Sequence, residues 1–94
     1  MTTGKKKLQV RQDLGVKIVD EGLLILDKSG EKIHQLNATA GFAWLGLESG
    51  KNCDEIAKEV AKKFDVTEEV AVRDVKKIFD KFDALGLLQL TDQE

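Results

Sequence analysis

The sequence is poor in the residues that build most catalytic and metal centres. Its 94 residues include one histidine, His34, one cysteine, Cys53, and no proline. A lone cysteine cannot form an internal disulfide, which argues against a small secreted scaffold. The single histidine and the single cysteine are far apart in the chain, and they offer no spacing for a catalytic pair or a metal site. We therefore expect a protein that is not an enzyme and that holds no metal or cofactor.

A basic surplus, a membrane span and a phosphate-binding loop are also missing. The 15 basic and 17 acidic residues give a net charge of -2, whereas a nucleic-acid binder needs a surplus of Lys and Arg to displace counterions. Apolar runs such as Leu23 to Leu26 are far too short to cross a bilayer, and no apolar signal-peptide stretch opens the chain. No glycine is followed by the Lys-Ser/Thr pair of a phosphate loop. We expect a cytoplasmic protein that binds neither nucleic acid nor membrane.

Residues 1–94 have the length and composition of a single globular domain. A cluster of four basic residues, Lys5, Lys6, Lys7 and Arg11, lies near the N-terminus. Because chain ends often fray, residues 1–10 are predicted to be a flexible tail.

Three short strands are predicted after this tail. Residues 15–20 are rich in β-branched side chains, and residues 23–27 are apolar on both faces, as in a central strand. The polar mixture at residues 32–36 is typical of a sheet edge. Ile33 and Leu36 cannot both face the core of a regular strand. Either a bulge intervenes, or Ile33 points to the outer or groove side.

The rest of the chain predicts three helices over about residues 38–48, 53–64 and 68–85. Asn37 and Thr67 are good N-caps for the first and third helices, and Asn52 with Glu55 forms a capping box for the second. Residues 87–90 fit a short closing strand. The predicted fold is α+β, a winged helix-turn-helix with an N-terminal three-stranded antiparallel β-meander followed by three helices.

The third predicted helix carries more apolar residues than one inward seam requires. The seam runs through Val75, Ile78, Phe82 and Leu85, and two further apolar residues, Val72 and Phe79, lie to one side of it. Either both are ordinary core residues, or they line a shallow groove between the third helix and the third strand.

The segment LNATAGFAWLGLESG at residues 36–50 resembles the signature of the pyrroloquinoline quinone biosynthesis protein D family. The following EIAKEV at residues 55–60 is similar as well, and so are Asp74-Val75, Phe79 and the ending at residues 85–88. The resemblance covers about residues 10–90. At residue 53 this chain has Cys, where the family more usually has Ser or Thr.

The resemblance implies a peptide chaperone, also called a precursor-peptide recognition element. Such a domain binds the leader segment of a ribosomally made peptide and presents it to a modifying enzyme, commonly a radical S-adenosylmethionine enzyme. In the family the leader adds as a strand to the third strand and packs against the third helix. Carried onto this chain, the peptide-binding residues are Lys32, Ile33, His34, Gln35 and Leu36 of the strand, with Val72, Lys76, Phe79 and Asp83 of the helix.

Two other functions compete with peptide binding. In a winged-helix DNA-binding protein the third helix would enter the major groove, but residues 68–83 hold four basic and five acidic residues, a poor surface for phosphates. An oligomerisation module could form a homodimer through the apolar strand at residues 23–26 and an open sheet edge. This second option does not exclude peptide binding.

Overall fold

A computed structural model describes the backbone of residues 5–93 and the side chains of residues 9–89. The elements in chain order are β1 (Lys5–Val10), β2 (Gly15–Val19), β3 (Gly22–Asp27), β4 (Lys32–Leu36), α1 (Ala38–Glu48), α2 (Cys53–Lys63), α3 (Glu68–Ala84) and β5 (Leu88–Gln93).

Strands β2, β3 and β4 form the predicted antiparallel meander, with β3 in the centre. Side chains of β3 alternate between the two faces, so Leu23 and Ile25 are almost completely buried against the helices. The register pairs Leu23 with Leu36 and runs through β4 without an extra residue. Leu36 therefore faces the core, whereas Ile33 points to the outer face and is 65% exposed. The α+β prediction is confirmed, and the regular register settles the question of Ile33.

The three helices begin at the predicted caps. The side chain of Asn37 accepts a hydrogen bond from the Ala40 backbone N–H at 2.8 Å, and Thr67 does the same for Val70 at 3.1 Å. Asn52 and Glu55 form both bonds of the capping box. Each bond satisfies a backbone donor that the first helical turn leaves without a partner. Within residues 5–93, no helix combines the length and apolar character needed to cross a bilayer.

The core forms where α1 packs against α3 and the meander. The Trp44 ring is fully buried and lies edge-on to Phe82, with ring centroids 5.2 Å apart, while its Nε1 donates to Glu48 at 3.1 Å. Gly41 allows α1 to approach the sheet, because a Cβ at this position would lie 3.2 Å from the Leu23 side chain. This close packing explains a glycine inside a helix, where it is otherwise unfavourable by about 1 kcal/mol.

A second, two-stranded sheet joins the two ends of the chain and was not predicted. Strand β1 pairs antiparallel with β5, from Lys5 opposite Gln93 to Val10 opposite Leu88. The prediction of a tail is therefore wrong for residues 5–10. Local sequence could not indicate this strand, because its partner lies about 80 residues away along the chain. Strand β5 pairs with β1 and, among residues 5–93, with no strand of the meander.

Candidate functional site

Strand β4 lies at an open edge of the meander. It pairs with β3 on one side, and among residues 5–93 no strand pairs with it on the other. An unpaired edge offers a row of N–H and C=O groups to an extended chain. The third predicted strand thus has the exposed backbone that strand addition requires.

The hairpin geometry indicates which backbone groups face this edge. A four-residue turn at residues 28–31 joins β3 to β4, and the flanking pair is Asp27 and Lys32. The pair of residues that closes a tight hairpin usually forms backbone hydrogen bonds across the two strands. We infer that Asp27 and Lys32 do so. Hydrogen-bonded pairs recur at every second position along antiparallel strands. The N–H and C=O groups of Ile33 and Gln35 accordingly point away from β3, toward the open edge.

A groove of about 540 Å³ runs between the end of β4 and α3. Gln35, Leu36 and Asn37 line one side, and the start of α1 closes one end with Thr39 and Ala40. The α3 side consists of Asp74, Lys77, Ile78, Lys81 and Phe82. The groove therefore has an apolar floor with two lysines and one aspartate on its helical wall.

The strand residues predicted for the site occupy three different environments. Leu36 is buried at the groove and Gln35 is exposed beside it. Lys32 and Ile33 are exposed at the far end of β4. His34 is half-buried on the inner face, and its Nε2 has no hydrogen-bond partner in the part of the chain that the structure describes.

The structure does not bring the predicted helix residues to this groove. At 100° per residue, Val72, Lys76, Phe79 and Asp83 lie on the flank of α3 opposite to the groove residues. Val72 and Phe79 are half-buried against the core, and the Phe79 ring stacks on Phe82 with centroids 6.5 Å apart. Their core interpretation agrees with this packing, and whether any of the four contacts a peptide stays a prediction.

The environment of Cys53 shows that the flank of α3 with Lys76 faces the start of α2. Burial raises the pKa of the Cys53 thiol and the neighbouring Asp54 raises it further, whereas Lys76 acts to lower it. Lys76 is therefore close to the start of α2 rather than to β4. The raised pKa also leaves less of the reactive thiolate at neutral pH.

A network of charged groups lies at the end of the meander remote from the groove. The guanidinium of Arg11 donates to the Asp27 carboxylate at 3.1 Å and to the Gly86 carbonyl at 3.0 Å. Hydrogen bonds from Ser29 and from Arg11 lower the pKa of Asp27 to about 2. Arg11 follows β1 and Gly86 precedes β5, so this network ties the two-stranded sheet to the meander.

A model of the family "Coenzyme PQQ synthesis protein D (PqqD)" matches residues 22–88, which is more than half of the chain. The chain belongs to the PqqD family. The matched region runs from β3 to the first residue of β5 and so includes β4, α3 and the groove between them. Membership in the PqqD family confirms the resemblance found in the sequence.

Two solved structures share the fold of this PqqD-family chain. The first is TbiB1 in complex with the TbiA(beta) leader peptide, with a TM-score of 0.79 at 20% identity, covering 86% of this chain and 94% of that one. The second is a lasso peptide synthetase B1 complexed with the leader peptide, with a TM-score of 0.79 at 23% identity, covering 87% and 96%. No protein with a curated description shows significant sequence similarity to the chain.

Proposed function

We propose that this protein is a non-catalytic adaptor that binds the leader segment of a ribosomally made precursor peptide. The leader adds as a strand to β4, its side chains enter the groove beside α3, and the adaptor presents the peptide to a modifying enzyme. The observation that carries the proposal is the unpaired edge of β4 next to that groove. Backbone hydrogen bonds give affinity in this mode of recognition, while side-chain pockets give specificity.

The two structures that share the fold support a leader as the bound peptide. Both were solved with a leader peptide present, and both match this chain over nearly their entire length. Membership in the PqqD family supports the same conclusion. The winged-helix DNA-binding alternative has no comparable support, because α3 has more acidic than basic residues.

The groove indicates the kind of peptide that fits. Leu36, Ala40 and Ile78 provide an apolar surface for one or two anchoring side chains. Lys77 and Lys81 on the helical wall favour an acidic residue next to the anchor. Exposed ion pairs contribute roughly 0–1 kcal/mol, so these lysines would set register and preference more than affinity.

The proposed partner enzyme is a radical S-adenosylmethionine enzyme or another enzyme that modifies peptides. This part of the proposal rests on what PqqD-family membership implies. A homodimer stays a prediction, and light scattering over a series of protein concentrations would test it.

Replacing Gln35 by proline tests strand addition. Proline removes the N–H that faces the open edge and places its ring there, while the bonds between β4 and β3 remain. The probe is a set of peptides of roughly 16 residues, long enough to pair with β4 and to extend beyond it, selected for binding from a random phage-displayed library. We expect Gln35→Pro to weaken binding at least about tenfold, a loss of ~1.4 kcal/mol.

Gln35→Ala is the matched control, because it removes the same side chain but keeps the N–H. It should change the affinity less than about threefold, which corresponds to ~0.65 kcal/mol. Circular dichroism should show that both variants are folded. If peptides bind Gln35→Pro as tightly as they bind the parent, or if no peptide is selected at all, the proposed function is wrong.

A further inference from the structure

An apolar hollow lies at the opposite edge of the meander from the groove, beside β2 and on the same helix-facing side of the sheet. Ile18 of β2 is 74% exposed at its rim, and Leu45 of α1 is 40% exposed. The rings of Phe42 and Phe64 form its floor, edge to face, with centroids 5.9 Å apart. The Nζ of Lys63 lies 5.5 Å from the first centroid and 5.9 Å from the second. Nothing in the described part of the chain covers this surface, and a contiguous exposed apolar patch, unlike a single exposed residue, is a common sign of a binding surface.

The hollow is continuous with the groove beside β4. Leu36 and Thr39 line the groove, and they also line a depression at the end of the meander. The opposite wall of that depression is the turn between β2 and β3, residues 19–22, with Ala38 at its base. The same turn and Ala38 belong to the wall of the hollow. Shared residues therefore connect the groove, the depression and the hollow in one track around the start of α1.

We propose that the peptide bound at β4 continues along this track and places a second apolar side chain in the hollow. This inference rests on the proposed function and adds a second anchor to it. The side chain that fits is aliphatic or aromatic, because the surface is formed by Ile18, Phe42, Leu45 and Phe64. The charged residues that line the hollow are Lys63, Asp20 and Glu21. Because the two carboxylates outnumber the one lysine, the residues beside the anchor are expected to be neutral rather than acidic.

Strand geometry gives the length and direction of the peptide. A guest strand on β4 lies three strand spacings from β2, about 14 Å, which an extended chain covers in roughly four to six residues. With about five residues paired to β4, a peptide must have roughly ten to twelve residues to reach the hollow. The meander is antiparallel throughout, and an antiparallel guest has its N-terminal end beside Leu36. The second anchor then lies N-terminal to the segment paired with β4.

The test combines truncation of the selected peptides with a variant of the hollow. Peptides are shortened one residue at a time from the N-terminus and, separately, from the C-terminus, and affinity is measured by fluorescence anisotropy. On the parent protein, loss of the second anchor should weaken binding about tenfold, as expected for removal of a large apolar side chain from a pocket. The full peptide should bind Ile18→Ser about fivefold more weakly than it binds the parent. Removing the second anchor from the peptide should then lower its affinity for Ile18→Ser by less than about twofold, because the variant has already lost that contact. Val66→Ser is the matched control, since Val66 is also exposed but does not line the hollow.

The outcomes separate this inference from the proposed function. If N-terminal truncation weakens binding equally on the parent and on Ile18→Ser, or if only C-terminal truncation does so, the second anchor is not in the hollow. If Ile18→Ser leaves peptide affinity unchanged and instead shifts the mass measured by light scattering, the hollow receives a second copy of the chain and the inference is overturned. In each of these cases the proposed function stands as long as Gln35→Pro still weakens binding at least about tenfold.

Discussion

The two flanks of α3 have similar composition but different surroundings. One flank, with Lys77, Ile78 and Lys81, lines the groove next to β4. The other flank, with Lys76 and Phe79, packs toward α2 and the core. Each flank carries a half-buried apolar residue and at least one exposed lysine. The difference shows that helical periodicity identifies the buried seam, whereas the position of the sheet decides which flank remains accessible.

A charge introduced at the half-buried apolar residue of each flank should give the largest difference in peptide affinity between the two flanks. Ile78→Asp places a carboxylate on the surface that receives the anchoring side chain, and we expect peptide affinity to fall more than tenfold, by ~1.5–3 kcal/mol. Phe79→Asp should leave the affinity within about threefold wherever the variant remains folded. Isothermal titration calorimetry with a selected peptide measures both.

Each of these substitutions also disturbs packing against the core, so thermal unfolding must accompany the titrations. Ile78→Ala and Phe79→Ala provide milder versions of the same comparison if an aspartate variant does not fold. A larger loss of affinity for the Phe79 variants than for the Ile78 variants would assign peptide binding to the opposite flank, as the sequence predicted.

Reversing the charge of one lysine on each flank should give a smaller difference in peptide affinity. Lys81→Glu puts a negative charge on the wall of the groove, and we expect a peptide with an acidic residue to bind about three- to fivefold more weakly at low salt. Lys76→Glu makes the same change on the other flank and should have no measurable effect. The difference should shrink as salt rises from about 0.05 to 0.5 M, because exposed charges are screened. A reversed order of the two variants would contradict the assignment of the flanks.

The Arg11–Asp27 network should have the smallest effect on binding, since it lies at the other end of the meander. Its expected effect is on stability. The folded pKa of Asp27 is about 2, below the ordinary value near 3.9, so the stabilisation is present above about pH 4 and is lost as the pH falls toward 2. Asp27→Asn should therefore lower the melting temperature at pH 7 and flatten its decline below pH 4.

The affinity of Asp27→Asn for a selected peptide at pH 7 should equal that of the parent. Differential scanning fluorimetry between pH 2 and pH 7 measures the stability. An unchanged melting temperature at pH 7, or a parallel decline of both proteins in acid, would show that the network does not stabilise the fold.

Local features of the sequence were enough to predict much of this fold. The caps at Asn37, Asn52 and Thr67 act within a single helical turn, so residues close together in the chain reveal them. The meander could also be predicted from local sequence, because its strands are neighbours in the chain and are joined by short turns. Only the pairing of β1 with β5 was missed, since it joins residues at opposite ends of the chain.

Local sequence patterns predicted only part of the candidate site. The polar mixture at residues 32–36 correctly placed β4 at an edge. Alternation alone could not decide whether Ile33 faces inward, and the register with β3 was needed to show that it does not. For α3 the spacing correctly indicated that Val75 and Phe82 are buried, whereas Ile78 of the predicted seam is half-buried and lines the groove. No local signal shows on which side of the helix β4 lies. The sequence therefore could not show whether the flank with Val72 and Phe79 or the flank with Ile78 faces β4, and a peptide contact of Val72 or Phe79 stays a prediction.

Hydrogen exchange at the edge of β4 is the most direct test of strand addition. The amides of Ile33 and Gln35 should exchange quickly in the free protein and become protected when a selected peptide binds, while the amide of Val16 on the opposite edge strand stays unchanged. Two-dimensional NMR on uniformly labelled protein resolves these amides individually. If a peptide binds with high affinity and the exchange of Ile33 and Gln35 does not slow, the peptide does not pair with β4.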